Sequence, residues 1–95
     1  MANYDQLKQE ITMSMHRLRD KGVQFIFLHD DNSNIPTPSP TADPTSYPLY
    51  IRKNQRPEAI NTMVRERIAK IEAFEVQQSQ EDFFLYLYET FNGGL

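Results

Sequence analysis

Apolar residues recur every three or four positions near the start of the chain. They are Tyr4, Leu7, Ile11, Met15 and Leu18, which share one face of a helix. Gly22 comes just after Arg19 and Lys21 in the last turn, and a glycine in this position typically ends a helix in the left-handed conformation. The pattern predicts an amphipathic helix from about Tyr4 to Lys21.

Two short apolar runs predict strands. Residues 23–28 are rich in β-branched and aromatic side chains and are too few for an independent helix. Residues 49–52 place Leu49 and Ile51 on the same face of an extended segment. An antiparallel pair is the simplest arrangement of these two strands, and we expect it here.

The segment between the strands, residues 30–48, contains five prolines and is otherwise mostly serine, threonine, asparagine and aspartate. Such a composition buries too little apolar area to offset the entropy cost of ordering the chain. Long loops without helix or strand of their own are usually functional or disordered. We therefore expect a flexible loop within a single domain of residues 1–95.

Two further helices are expected after the second strand. The first begins at Pro57 and has an apolar stripe made of Ile60, Met63, Val64, Ile68, Ile71 and Phe74. The second begins at Ser79, a good capping residue, and ends at the sequence Asn92-Gly93-Gly94. The predicted fold is α+β with the order α-β-β-α-α. A strand at residues 83–88 would give α-β-β-α-β instead.

The last predicted helix is apolar almost without interruption. One broad face consists of Phe83, Phe84, Leu87, Tyr88 and Phe91. We expect that face to join the core, while Leu85 and Tyr86 point away from it. Asp82 and Glu89 lie at the rim of this second surface. An aromatic side chain beside an aliphatic one, with charges around them, is typical of an interface centre, so these four residues are the predicted protein-binding site.

Charge is segregated along the chain, whose net charge is −3. Residues 52–70 contain six basic and two acidic side chains, whereas residues 71–95 contain five acidic side chains and no basic one. Antiparallel packing of the two C-terminal helices would pair these blocks within the molecule. The alternative is a nucleic-acid-binding surface, for which the candidates are Arg52, Lys53, Arg56, Arg65 and Lys70.

Composition narrows the chemistry available to this chain. It has no cysteine, and therefore no disulfide, thiolate zinc site or cysteine nucleophile. Its three glycines form no phosphate-binding motif. An imidazole and carboxylates cluster at His29-Asp30-Asp31, but further ligands at metal-binding spacing are missing. We expect no enzyme activity, catalytic residue, metal or cofactor.

Residues 1–6 lack the features of a secretion signal, and no apolar stretch approaches the roughly 20 residues that span a bilayer. We therefore expect a cytoplasmic protein without a membrane partner. The predicted function is that of a non-enzymatic, regulatory interaction protein: an adaptor, an inhibitor, or an assembly factor or chaperone of a larger complex. It would bind another protein, or a second copy of itself as a homodimer, through its C-terminal helix.

Overall fold

The computed structural model of the protein describes residues 4–30 and 34–93. Its elements are α1 (Tyr4–Asp20), β1 (Phe25–Leu28), β2 (Leu49–Arg52), α2 (Pro57–Tyr88) and a π-helical turn (Glu89–Gly93). The mixed α and β class agrees with the expectation. Asp31 of the predicted cluster and Gly94 of the predicted helix end lie outside the described residues.

The helix α1 ends just before Gly22, as the sequence predicts. Gly22 has φ of 96°, and its N–H donates to the Arg19 carbonyl at 2.9 Å. The N–H of Val23 donates to the Leu18 carbonyl at 3.0 Å, which completes a Schellman motif. Leu18 and Val23 are both buried, so this motif carries the chain directly from the helix into the core.

The two strands are parallel, and the expected antiparallel pairing is wrong. Phe25 pairs with Leu49 and Leu28 with Arg52 in a two-stranded sheet. An antiparallel pair needs only a short hairpin, whereas a parallel pair needs a crossover of a dozen or more residues. The long connection between β1 and β2, residues 29–48, supplies that crossover, and we call it the crossover loop.

The two predicted C-terminal helices are one continuous helix, so the order α-β-β-α-α is also wrong. The helix α2 contains 32 residues, and Ser79 lies within it rather than at a cap. Neither glycine nor proline occurs between Pro57 and Gly93, and the residues around Ser79 are mostly good helix formers. Nothing in the sequence therefore forces a break. Residues 83–88 are helical, which excludes the alternative strand.

The core lies where α1, the sheet and the first half of α2 meet. Its buried side chains are Leu18, Val23, Leu49, Ile51, Val64 and Ile71. Two exposed ion pairs join the helices, Arg17 to Glu72 at 3.2 Å and Lys21 to Glu75 at 2.9 Å. Glu72 is thus paired with Arg17 of α1, and Glu75 with Lys21, which directly follows α1. The expected pairing between two C-terminal helices does not occur, because residues 57–88 form one helix.

Arg67 on α2 holds the second half of the crossover loop. Its guanidinium donates hydrogen bonds to the carbonyl oxygens of Pro44, Tyr47 and Pro48, at 3.2, 2.7 and 3.2 Å. Its Cζ also lies 4.1 Å from the centre of the Tyr47 ring, in a cation–π contact. Burial lowers the pKa of Arg67, and Tyr47 has a smaller effect in the opposite direction. Pro44 itself is buried.

Short polar side chains of the loop bond to its own backbone. The Asp43 carboxylate accepts hydrogen bonds from the N–H and the hydroxyl of Thr45, both at 2.8 Å. The described part of the loop, residues 34–48, contains neither helix nor strand, as expected. Its flexibility stays a prediction, and the contacts of Arg67 and Asp43 favour an ordered second half.

Candidate protein-binding surface

The helix α2 continues beyond the core for several turns. Phe74 is its last half-buried residue, and the residues from Glu75 to Tyr88 are exposed. At 1.5 Å per residue, residues 76–88 extend about 20 Å past the rest of the protein. This projecting segment, residues 76–88, explains why the molecule measures 62 Å along its longest axis and only 30 and 19 Å along the others.

The face that was expected to join the core is exposed, and that expectation is wrong. Phe83 and Phe84 are 63% and 68% exposed, and Leu87, Tyr88 and Phe91 are exposed as well. They are exposed because no other element reaches this part of α2 among the described residues. The other large exposed apolar side chains, such as Tyr4, Met13, Phe27 and Ile35, are scattered over the rest of the molecule.

The four residues of the predicted protein-binding site are exposed too. Leu85 is 51% and Tyr86 62% exposed, and Asp82 and Glu89 are exposed as well. By helical periodicity, however, these residues continue the line of α2 that carries Ile71 in the core. They are accessible because every side of α2 is exposed beyond the end of the core. Their accessibility therefore does not depend on the side of the helix on which they lie.

Aromatic rings pair along the projecting segment. The ring centres of Phe84 and Tyr88 are 6.4 Å apart and nearly parallel, and those of Phe83 and Tyr86 are 6.5 Å apart. Phenylalanine and tyrosine have lower helix propensity than alanine or leucine. A helical segment without tertiary packing is only marginally stable in water. Covering these rings would therefore stabilise the helix as well as remove apolar surface from water.

The predicted basic residues do not form one surface. Arg65 lines a groove between α1 and α2, whereas Lys70 lies beside the crossover loop on another side of the helix. Arg52 is half-buried at the end of β2, and Lys53 and Arg56 are exposed in the turn that follows. The structure thus distributes this charge over several faces.

Sequence reasoning missed the anchoring role of Arg67. A signal for it was present, because Arg67 lies three residues after Val64 and four before Ile71, within the apolar stripe of α2. A cation at such a position needs acceptors from another part of the chain. Here the crossover loop supplies three carbonyl oxygens.

Other features of the described residues carry little chemistry. The groove between α1 and α2 is open and lined by side chains of both charges, including Glu10, Arg17 and Glu72. His29 is exposed at the end of β1, and the described residues contain no group of three or more acidic or histidine side chains placed to hold a metal ion. None of the described helices is both long enough and apolar enough to cross a bilayer.

The chain matches no protein-family model, no curated protein and no solved structure.

Proposed function

We propose that this protein is a non-enzymatic interaction protein, an adaptor, inhibitor or assembly factor, that binds a protein partner through the projecting segment. The observation that carries the proposal is the unbroken apolar run on a helix that has left its own core. Isolated apolar side chains are normal on protein surfaces, but a contiguous aromatic patch typically marks an interaction site.

The composition of this run resembles the centre of a protein interface. Aromatic residues are enriched there, and a few buried aromatic anchors commonly supply most of the binding energy. Phe83, Phe84 and Tyr86 are each more than 60% exposed and are already held on a helix, which reduces the entropy lost on binding. Three residues of the predicted site, Asp82, Leu85 and Tyr86, belong to the same segment, and Glu89 directly follows it.

Charge favours a protein over a lipid surface or a nucleic acid. The projecting segment contains Glu81 and Asp82, Glu89 follows it, and no basic residue occurs after Lys70. Helices that lie on membranes usually carry lysine and arginine on their polar face. Nucleic acids require basic contacts to their phosphates, and the basic residues of this chain are spread over several faces.

The proposal is tested by affinity capture from the cells that express the protein, with the wild type and two double variants as bait. One variant is Phe83→Gln/Leu87→Gln and the other is Leu85→Gln/Tyr86→Gln. Because all four side chains are exposed, both variants should keep the far-UV circular dichroism spectrum of the wild type. An exposed substitution outside the segment, Glu58→Gln, is the matched control.

We expect the wild type and the control to retain a protein, identified by mass spectrometry, that at least one double variant loses. Retention by both double variants would place the binding surface elsewhere and refute the proposal. Binding of the wild type to phospholipid vesicles or to RNA, with no protein captured, would refute it as well.

A further inference from the structure

The hydrogen bonds between the two strands show which backbone groups of β1 face away from β2. The carbonyl oxygens of Gln24 and Leu28 accept hydrogen bonds from N–H groups at the two ends of β2, at 2.8 and 2.9 Å. Alternate residues of a strand direct their backbone groups to opposite sides, so Gln24, Ile26 and Leu28 face β2. Phe25 and Phe27 therefore direct their N–H and C=O groups to the outer side of β1.

This outer edge of β1 has no hydrogen-bond partner among the described residues. The sheet has two strands, and no hydrogen bond between described residues reaches the outward groups of Phe25 or Phe27. The outer edge of β2 is better protected. There, the N–H of Arg52 donates to the Gln55 side-chain oxygen at 2.9 Å, and its carbonyl accepts from the Gln55 N–H at 3.1 Å. Tyr50, the other outward residue of β2, lines a groove together with residues of the crossover loop.

The strand β1 also lacks the features that commonly prevent an edge strand from pairing, such as a lysine, a proline or a bulge. Its sequence is Phe-Ile-Phe-Leu, and its register with β2 is unbroken. Phe27 lies beside Ile51 on the face of the sheet that carries the core. Ile51 is 7% exposed, whereas Phe27 is 59% exposed. A core-facing ring is thus left uncovered at the open edge.

The pattern of these groups determines what can cover the edge. Backbone donors and acceptors that repeat every two residues match another extended chain, which adds to the sheet as a further strand. The strand β1 is its own complement in this respect. In an antiparallel pair centred on Ile26, Phe25 of each copy lies opposite Phe27 of the other, and each such pair exchanges two hydrogen bonds. All outward groups of both strands are then satisfied, and no charged residue of either β1 strand opposes the pairing.

We infer that β1 pairs antiparallel with β1 of a second copy of this chain, about a two-fold axis at Ile26, to form one sheet of four strands. In this dimer Phe27 lies between Ile51 of its own chain and Phe25 of the other copy. Aromatic pairs across neighbouring strands stabilise a sheet. Phe25 already packs against the core of its own chain, so the pairing joins the two cores. No residue of the projecting segment takes part, and the inference does not rest on the proposed function.

The inference is tested on the purified protein by sedimentation equilibrium. We expect the wild type to be a dimer at about 100 μM, because an interface of this small size corresponds to micromolar affinity. Phe27→Lys removes a ring from each half of the symmetric interface and adds a charge to the edge, so the dissociation constant should rise at least about 100-fold. Met13→Lys, at a similarly exposed position on α1, is the matched control and should change the constant by less than about threefold.

The register is tested by disulfide formation, which is simple here because the chain has no cysteine of its own. In the antiparallel pair, the Cα atoms of the two Ile26 residues are about 4.5 Å apart, a distance that a disulfide spans. The two copies of Leu28, which is half-buried on the same face, are four residues apart along the strands, or about 14 Å. Mild oxidation should therefore link Ile26→Cys into a covalent dimer and leave Leu28→Cys unlinked. Both variants should keep the far-UV circular dichroism spectrum of the wild type.

A wild type that is monomeric at this concentration, or a dimer that survives Phe27→Lys, would overturn the inference. Equal linkage of the two cysteine variants, or linkage of neither, would overturn it as well. If Phe27→Lys does not fold, the cysteine variants decide the question alone. The dimer should persist in Phe83→Gln/Leu87→Gln, and its loss there would assign self-association to the projecting segment instead. Failure of the capture experiment leaves the dimer through β1 intact, so the two proposals fail separately.

Discussion

Replacing Arg67 with methionine tests whether the crossover loop is held on the core. Methionine keeps most of the apolar stem and removes the guanidinium, which makes three hydrogen bonds to loop carbonyls and one contact with the Tyr47 ring. A hydrogen bond from a charged group contributes roughly 1.5–3 kcal/mol, and a cation–π contact about 0.5–2 kcal/mol. Together these contacts connect α2 to the segment that immediately precedes β2.

The expected net loss is smaller than the sum of these contributions. Arg67 is only half-buried, so water can reach part of the site and replace some of the lost donors. We expect Arg67→Met to lower the free energy of unfolding by about 2–3 kcal/mol. In a domain of this size, that change lowers the melting temperature by about 10–20 °C. Arg67→Lys keeps the charge but loses the planar fork, and should cost about half as much.

The measurement is thermal unfolding followed by circular dichroism at 222 nm, with Lys70→Met as the matched control. Lys70 is an exposed cation on the same helix, and its loss should change the free energy of unfolding by less than about 0.5 kcal/mol. If Arg67→Met melts within about 2 °C of the control, the guanidinium does not hold the loop. The expectation of a flexible loop would then apply to its second half as well.

Three further substitutions test the fold itself by the same thermal measurement. Leu18→Ala should cost about 2–5 kcal/mol, because the side chain is fully buried; a cost below 1 kcal/mol would mean that α1 does not pack as described. Gly22→Ala should cost about 1–2 kcal/mol through its φ of 96° alone, since no atom lies within 4 Å of the added methyl group; an unchanged stability would contradict the Schellman ending. Asp43→Ala should cost about 0.5–1 kcal/mol by removing the acceptor for Thr45. Asp43→Asn keeps an acceptor oxygen and should cost less, so an equal loss in both variants would show that the hydrogen bonds to Thr45 do not stabilise the loop.

Local patterns were sufficient to predict the elements in the first two thirds of the chain. The apolar spacing of α1, the stop at Gly22 and the short runs of β1 and β2 depend on contacts within a few residues. Sequence reasoning therefore placed them to within one or two residues. The general class, mixed α and β with a long connection lacking helix and strand, followed from these elements.

The relative orientation of elements far apart in the sequence could not be predicted from local patterns. The direction of β2 relative to β1 depends on the path of the crossover loop, and Arg67, from a distant helix, holds that path in place. The alternation of Leu49 and Ile51 is the same in a parallel and an antiparallel pair. Sequence alone therefore left the orientation open, and the tertiary contacts decided it.

The C-terminal surface likewise has one property that local sequence predicts and one that depends on tertiary contacts. The nearly continuous apolar run at residues 83–88 already shows more apolar surface than one face of a helix can bury. It did not determine which face would be exposed, because that depends on where the core ends relative to α2. The tertiary structure ends the core near Phe74. The segment beyond it is exposed, because the contacts of Lys21 with Glu75 and of the crossover loop with Arg67 lie before it.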